Sequence, residues 1–403
     1  MNVVFLRPEE LGAVAKHVRA LIDALENKGV AVKELIVKED NLQEVVAQIE
    51  DFKPIALIDI NTTGLIVAER EGKKYTLADL MGIVQLTFFV DDPLLFFPSL
   101  LELEKPRNYL AFVTDLKHTD SLRALQIENI SYMSPFVNKD VFPQEPKEKE
   151  IDIAFVGPVI DPQIIVDAVV QNYPKEILPV FFETGEFMFR NPEVHVMTAV
   201  NYVLGLFNPQ FQEEFKSWQE NNKVQAFRLL NDIVAYTTMR RRYYLLNFLD
   251  GIELKIVGDF RGELKEGHEV INPSSHEELL EIYGKSRITI YASPQTIPTA
   301  IGYIPLEAMY MGSAVMTDYK GTLPGFFAPE EEIITFAPLD RADLEEKILF
   351  YLENEEATLE IAKKGQKAVQ ERFTEGDRAQ FVYDLLQDIY KQFESAMNRE
   401  LEQ

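Results

Sequence analysis

Residues 2–6 (NVVFL) are continuously apolar and run into Arg7-Pro8, after which Val14, Val18, Leu21, Ile22 and Leu25 recur at the spacing of one helix face. This pattern predicts a strand, a loop turned by Gly12, and a helix stopped at Lys28-Gly29. AVKELIV (31–37) predicts a second strand, Leu42 to Phe52 a helix, and PIALIDI (54–60) a third strand. A β-α-β-α-β order implies a parallel sheet with right-handed crossovers. Residues 65–75 alternate about Glu71-Gly72 as a hairpin. QLTFFV, ending in Asp91-Asp92-Pro93, and NYLAFVTD, ending in Asp115 with His118 beyond, predict two more strands that aim acids at the ligand-bearing edge of the sheet.

The pattern then breaks. VNKDVFPQEPKEKE, with Pro143, Pro146 and seven charges, reads as a linker. A second sheet begins at IDIAFVG (151–157) and continues with ELKIVGD (253–259), RITIYAS (287–293) and residues 314–317. Between its first two strands, from about 161 to 245, the periodicity is helical. HEELLEIYGKS and the apolar run 306–311 are further helices, followed by 341–353, 356–372 and a long final helix from 376. The fold class is therefore α/β with two parallel-sheet domains: 1–145, then 146–375 with the helical insertion, then a terminal helix 376–403 that can pack back on the first domain.

At 403 residues, 46% hydrophobic and 26% charged, the chain suits two soluble domains. Lys+Arg 40 against Asp+Glu 66 gives a net charge of -26, which repels phosphate backbones and argues against nucleic-acid binding. The absence of cysteine removes disulfides, thiolate metal sites and a cysteine nucleophile. No apolar run approaches a transmembrane length and no leader pattern opens the chain, which predicts a cytoplasmic protein.

The chain carries no Asp-x-Asp pair to hold a divalent ion against a diphosphate, no metal-spaced His pair, and neither a Walker-type nor a dinucleotide glycine fingerprint. A diphosphate bound without metal must be met by backbone N–H groups and cations. Arg240, Arg241 and Arg242, the loop from Gly258 to Gly262, and Lys320-Gly321-Thr322 are candidates, although the three arginines could equally be a solvated face. Glu307, alone in an apolar helix after Gly302 and Pro305, needs a polar partner if buried, and a ribose diol is one. Asp91, Asp92, Asp115 and His118 are the acids and base expected at first-domain strand ends. Helix capping is the plainer reading for Asp91 and Asp92, and a surface helix start for His118. His17 lies mid-helix, and His268 and His276 read as loop and cap residues.

GAVAKHVRALIDALENKGVAV, SYMSPFVNKDVF, LKIVGD, GYIPLEAMYMGSAVMTDYKGTLPGFF and the closing ENEEATLEIAKKGQKAVQERFT together resemble GT-B glycosyltransferases, with FFVDDP most similar to the CgeB-like, spore-maturation-type branch. The resemblance implies two Rossmann-like domains, a nucleotide-sugar donor held by the second and an acceptor held mainly by the first. Glu307 matches the family's ribose-binding glutamate, Gly302 its close backbone approach to sugar or phosphate, and Lys320, Gly321 and Thr322 the loop after the next strand. Where the family has another glutamate, this chain has Thr299, a hydroxyl that cannot play a carboxylate's electrostatic part.

The function these features predict is metal-independent transfer of a sugar from a nucleotide-diphosphate donor, a substrate rather than a cofactor, to an unidentified acceptor: a glycan, a protein or a lipid-linked molecule. The sites are Asp91, Asp92 and His118 for chemistry, and Glu307, Gly302, Thr299, Arg240, Arg241, Gly258, Lys320, Gly321 and Thr322 for the donor. A non-catalytic sugar- or nucleotide-binding module and a nucleotide-sugar epimerase fit the same pattern. The insertion aromatics Phe181, Phe182, Phe187, Phe189 and Trp218 could form an acceptor or homo-oligomer surface, or the insertion's own core.

Overall fold

In a computed structural model the chain is described over residues 1–101, 103–143 and 147–401, with side chains as far as residue 395. The expected linker boundary at residues 145 and 146 lies outside the described residues. The chain divides into two compact units, residues 1–141 with 374–403, and residues 142–373.

The first unit runs β1 (Asn2–Arg7), α1 (Ala13–Asn27), β2 (Ala31–Ile36), α2 (Leu42–Phe52), β3 (Ala56–Ile60), β4 (Val67–Arg70), β5 (Lys73–Thr76), α3 (Leu77–Met81), β6 (Val84–Phe89), α4 (Phe97–Leu100), β7 (Tyr109–Val113), α5 (His118–Ala124) and β8 (Ile130–Tyr132). Six strands form one sheet in the order β2-β1-β3-β6-β7-β8, each neighbour parallel. Val3 to Leu6 and Ala56 to Ile58 are fully buried, as strands covered on both faces must be. The β4–β5 hairpin turns through Glu71 and Gly72, both at positive φ (57° and 74°), the geometry that matches strand twist in a two-residue turn.

The second unit runs β9 (Ile151–Val156), β10 (Val159–Ile160), α6 (Pro162–Asn172), α7 (Leu178–Arg190), α8 (Val196–Leu204), α9 (Pro209–Asn221), α10 (Lys223–Leu246), β11 (Leu254–Val257), β12 (Phe260–Arg261), β13 (His268–Ile271), α11 (His276–Lys285), β14 (Ser286–Tyr291), α12 (Tyr303–Tyr310), β15 (Ala314–Asp318), β16 (Ile334–Phe336), α13 (Arg341–Glu353) and α14 (Glu355–Arg372). Its sheet is again six parallel strands, β13-β11-β9-β14-β15-β16. Ile153, Phe155, Ile256, Ile288, Ile290 and Met316 build its core with Leu245 and Ile348. The insertion α6–α10 packs largely on itself: Phe181 lies against Tyr236, and Trp218 against Phe215 and edge-on to Tyr173. At the amino ends of the strands, Lys149 Nζ donates to the carbonyls of Gly284, Ser286 and Gly312 at 2.9, 2.9 and 2.7 Å. Burial lowers its ammonium to about 8.

The chain then returns to the first unit as α15 (Gly376–Leu401). Lys28, at the end of α1, donates to Gln380 at 2.6 Å; Phe381 stands edge-on to Phe112, and Val382 and Leu386 are buried. No helix among the described residues is long and apolar enough to cross a membrane.

Candidate active site

The second unit concentrates charge beyond the carboxyl ends of its strands. Asp318 closes β15 with its side chain fully buried, and takes Arg241 Nη2 at 3.1 Å and the Ser293 N–H at 2.8 Å. Burial alone would push this carboxyl up; the charges of Arg241 and Lys320 and the Ser293 N–H outweigh it and hold the group below its ordinary range. Arg242, also buried, donates to the carbonyls of Ala292 (3.0 Å) and Pro158 (3.1 Å). Burial, with Arg241 beside it, lowers the guanidinium of Arg242. Arg241 is thus paired with Asp318, while Arg242, held by carbonyls, is a second buried cation beside that pair. Arg241 Nε, buried as well, has no hydrogen-bond partner among the described residues.

These two arginines are not a solvated face. Arg240 is different: one residue earlier on α10, it pairs with Glu186 at 2.7 Å and lies 4.2 Å over the Phe189 ring, so its charge serves the insertion rather than the strand ends. The aromatic face and the ion pair together account for its position.

Lys320 is buried and donates to the carbonyls of Ile297 and, at 3.0 Å, Ala300, while Thr322 Oγ1 donates to the Thr299 carbonyl. The loop after β15 is thus sewn to the loop after β14. Gly321 N–H meets both carboxylate oxygens of Glu193, at 3.1 and 3.2 Å. Gly258, at φ 130°, lies so close to the Gly157 carbonyl that an added Cβ would stand 3.2 Å from its carbon. Gly157, at φ 116°, leaves room for Arg242, whose Nη1 would be 2.7 Å from a Cβ there. Gly302 has a reason of its own, since a Cβ would come within 2.8 Å of the Tyr291 hydroxyl. It caps α12 without a side-chain bond, leaving the helix's first N–H groups to other acceptors.

Glu307 is 3% exposed, and its Oε1 lies 2.8 Å from His276 Nε2. His276 follows the N-cap Ser275 of α11, so the helix start that hides it in sequence aims it at this carboxylate. Burial, with Glu307 nearby, pushes the Tyr283 phenol well above its usual range. His268 instead bonds the Leu249 carbonyl at 3.0 Å.

In the first unit the strand ends carry acids. Asp92 is buried and accepts from Leu94 N–H (2.9 Å) and Ser121 Oγ (2.7 Å), so it caps the turn that follows β6. Asp115 likewise accepts the Lys117 N–H at 2.8 Å. His118 opens α5 but is fully buried, contrary to the surface reading. Asp91 is half-buried; burial raises its carboxyl, with Asp92 adding to the rise and His118 and Asn61 opposing it. Asn61 and Thr62 sit at φ 50° and 59°, strained for a branched residue, and Asn61 Oδ1 fixes the Val90 N–H at 2.9 Å. His17 Nδ1 accepts the Asn138 N–H at 3.0 Å. Asp59, within β3, accepts from Gln85 (3.0 Å) and Thr87, and burial pushes it up to about 7. A cavity of about 1060 Å³ beside the hairpin, lined by Arg70, Asp79, Arg107 and Glu128 among others, contains none of the candidate residues.

Sequence reasoning reached Glu307, Arg241 and Gly321 but missed their partners His276, Asp318 and Glu193. Asp318 carried a signal, an acid ending an apolar strand; the other two lie 31 and 128 residues from what they contact and carried none.

The family described as glycosyl transferase-like matches residues 240–384, the stretch holding Arg241, Glu307, Asp318 and Lys320. The match makes this part of the chain glycosyl transferase-like, and the two parallel six-stranded sheets are consistent with a two-domain GT-B fold. An uncharacterized protein of Aquifex aeolicus is 60% identical over 397 residues, 98% of each chain. Two solved structures share the fold. One is an alpha-glucosyltransferase in complex with UDP and a 13-mer DNA containing an HMU base (10% identity, 96% of this chain and 99% of that one, TM-score 0.55). The other is AviGT4, a glycosyltransferase involved in avilamycin A biosynthesis (12% identity, 96% and 98%, TM-score 0.51).

Proposed function

We propose that this glycosyltransferase moves a sugar from a nucleotide-diphosphate donor to an acceptor hydroxyl, the donor's charge being met by protein cations and backbone N–H groups instead of a metal ion. The observation that carries the reading is the buried cation excess at the carboxyl ends of β9, β14 and β15. In a chain of charge -26, a second arginine held by carbonyls beside the Arg241–Asp318 pair is costly to bury unless an anion completes the set. Arg241 Nε, a buried donor with no described partner, is the N–H that such an anion would take. Lys320 and the start of α12 after Gly302 add charge and N–H groups on the same side of the sheet. Arg240, engaged by Glu186, is left out of the donor site.

Glu307, steadied by His276, takes the donor's ribose diol. In the transfer, the acceptor oxygen bonds to sugar C1 as the C1–O bond to the diphosphate breaks; the leaving diphosphate takes the electron pair, and Asp91 with His118 receives the hydroxyl proton. Burial raises the carboxyl of Asp91, which makes its carboxylate the stronger base. The test is calorimetry of Glu307→Ala with a panel of nucleotide-diphosphate sugars. A loss of about 1 to 3 kcal/mol in donor affinity is expected, the size of a charge-assisted hydrogen bond. Unchanged affinity removes Glu307 from the site.

A further inference from the structure

The turn joining α7 to α8 is tied down on the donor-side loops of the second unit. Gln295, buried in the loop after β14, donates through one amide nitrogen to the carbonyls of Pro192 (2.8 Å) and Val194 (3.1 Å). Its own N–H is fixed to Thr238 Oγ1 on α10 at 2.9 Å, so the clasp is rigidly based. Glu193 is the residue between the two clasped carbonyls. Its carboxylate lands on the N–H of Gly321, one residue past Lys320 and three past Asp318. A charged acceptor thus straddles a backbone donor beside the cation-rich cluster. Gln295 Oε1, buried among these contacts, has no hydrogen-bond partner among the described residues.

We infer that Glu193 is an internal stand-in for an anionic ligand: it takes the Gly321 N–H when the donor site is empty and must leave when a diphosphate enters. The inference rests on the donor reading above and adds a regulator to it. The insertion supplies the competing anion, and donor affinity is reduced by the fraction of molecules in which Glu193 is seated.

The test titrates the native chain, Glu193→Gln and Glu193→Ala with inorganic pyrophosphate and with a panel of nucleoside diphosphates, by calorimetry. Glu193→Ala is expected to bind both about fivefold or more tightly than the native chain, the scale of one lost competing hydrogen bond. Glu193→Gln, which keeps an acceptor but no charge, falls between. Hydrogen exchange of residues 191–195 rises in the native chain when pyrophosphate is added. Equal or weaker binding by Glu193→Ala overturns the inference while leaving the donor reading intact if nucleoside diphosphates bind. A gain for pyrophosphate with no binding of any nucleoside diphosphate keeps the stand-in and overturns the donor reading. Failure of all three proteins to bind either ligand overturns both.

Discussion

The two units end their parallel strands in opposite ways. The second buries arginines, and its one acid at the strand edge, Asp318, is already claimed by Arg241. The first buries acids, Asp59, Asp92 and Asp115, whose hydrogen bonds include those from an amide, hydroxyls and backbone N–H groups. The same architecture thus gathers buried arginines in one unit and buried acids in the other. Desolvation raises the carboxyl of Asp59, and that of Asp91 despite His118 beside it, and is overridden where Arg241 and Lys320 act together, as at Asp318. Side chains at strand ends, not the fold, set the chemical character of each edge.

The sharpest way to break this contrast is Arg241→Ala, which strands Asp318 without its bonded cation. A loss of about 3 to 5 kcal/mol in urea unfolding is expected. A loss below about 1 kcal/mol means that Lys320 and the Ser293 N–H neutralise Asp318 unaided, and the cation surplus is then smaller than it looks. Next comes Asp59. Its folded carboxyl at about 7 lies above the ordinary 3.8, so between those values the folded chain holds a proton that the unfolded chain has released. Stability from this group is complete below about pH 4 and is lost as pH rises through about 7, by something on the order of 4 kcal/mol. Asp59→Asn should remove that part of the slope, and an unaltered profile would sink the claim. Asp91→Asn should cut acceptor-dependent turnover about 100-fold with an unchanged melting temperature. Asp92→Ala should do the reverse, costing about 1 to 2 kcal/mol of stability through its cap. Exchanged results would exchange their roles. The smallest effect belongs to Arg240→Ala: under about 1 kcal/mol, since its Glu186 pair is partly exposed, and no change in nucleotide affinity. A larger drop in affinity there than in an Arg241 variant inverts the assignment of the arginines.

The order of elements is legible in the sequence because each strand is an apolar run long enough to be covered on both faces, and each crossover helix repeats its apolar face. The helix at Leu42–Phe52 and the hairpin turn at Glu71-Gly72 follow from such local rules. Short edge strands escape: β13 and β16 have four and three residues, too few for a period to register. The helix expected from Leu306 begins at Tyr303, because Gly302 caps it without a side-chain signature. At the site, residue types were readable and pairings were not. Three consecutive arginines look alike on paper, yet a helix turns about 100° per residue, sending Arg240 to the insertion and Arg241 and Arg242 to the strand ends.

Helix α15 completes a unit whose other elements precede residues 142–373 in the chain. Val382 and Leu386 are buried in that unit, and Phe393 packs against its core, so these contacts cannot form on the ribosome until α15 has emerged. Residues 142–373, by contrast, are contiguous and can condense as soon as they emerge. The N-terminal part must wait, incomplete, while its downstream neighbour matures, and a nascent chain cut short at residue 373 leaves the older portion as the unfinished one.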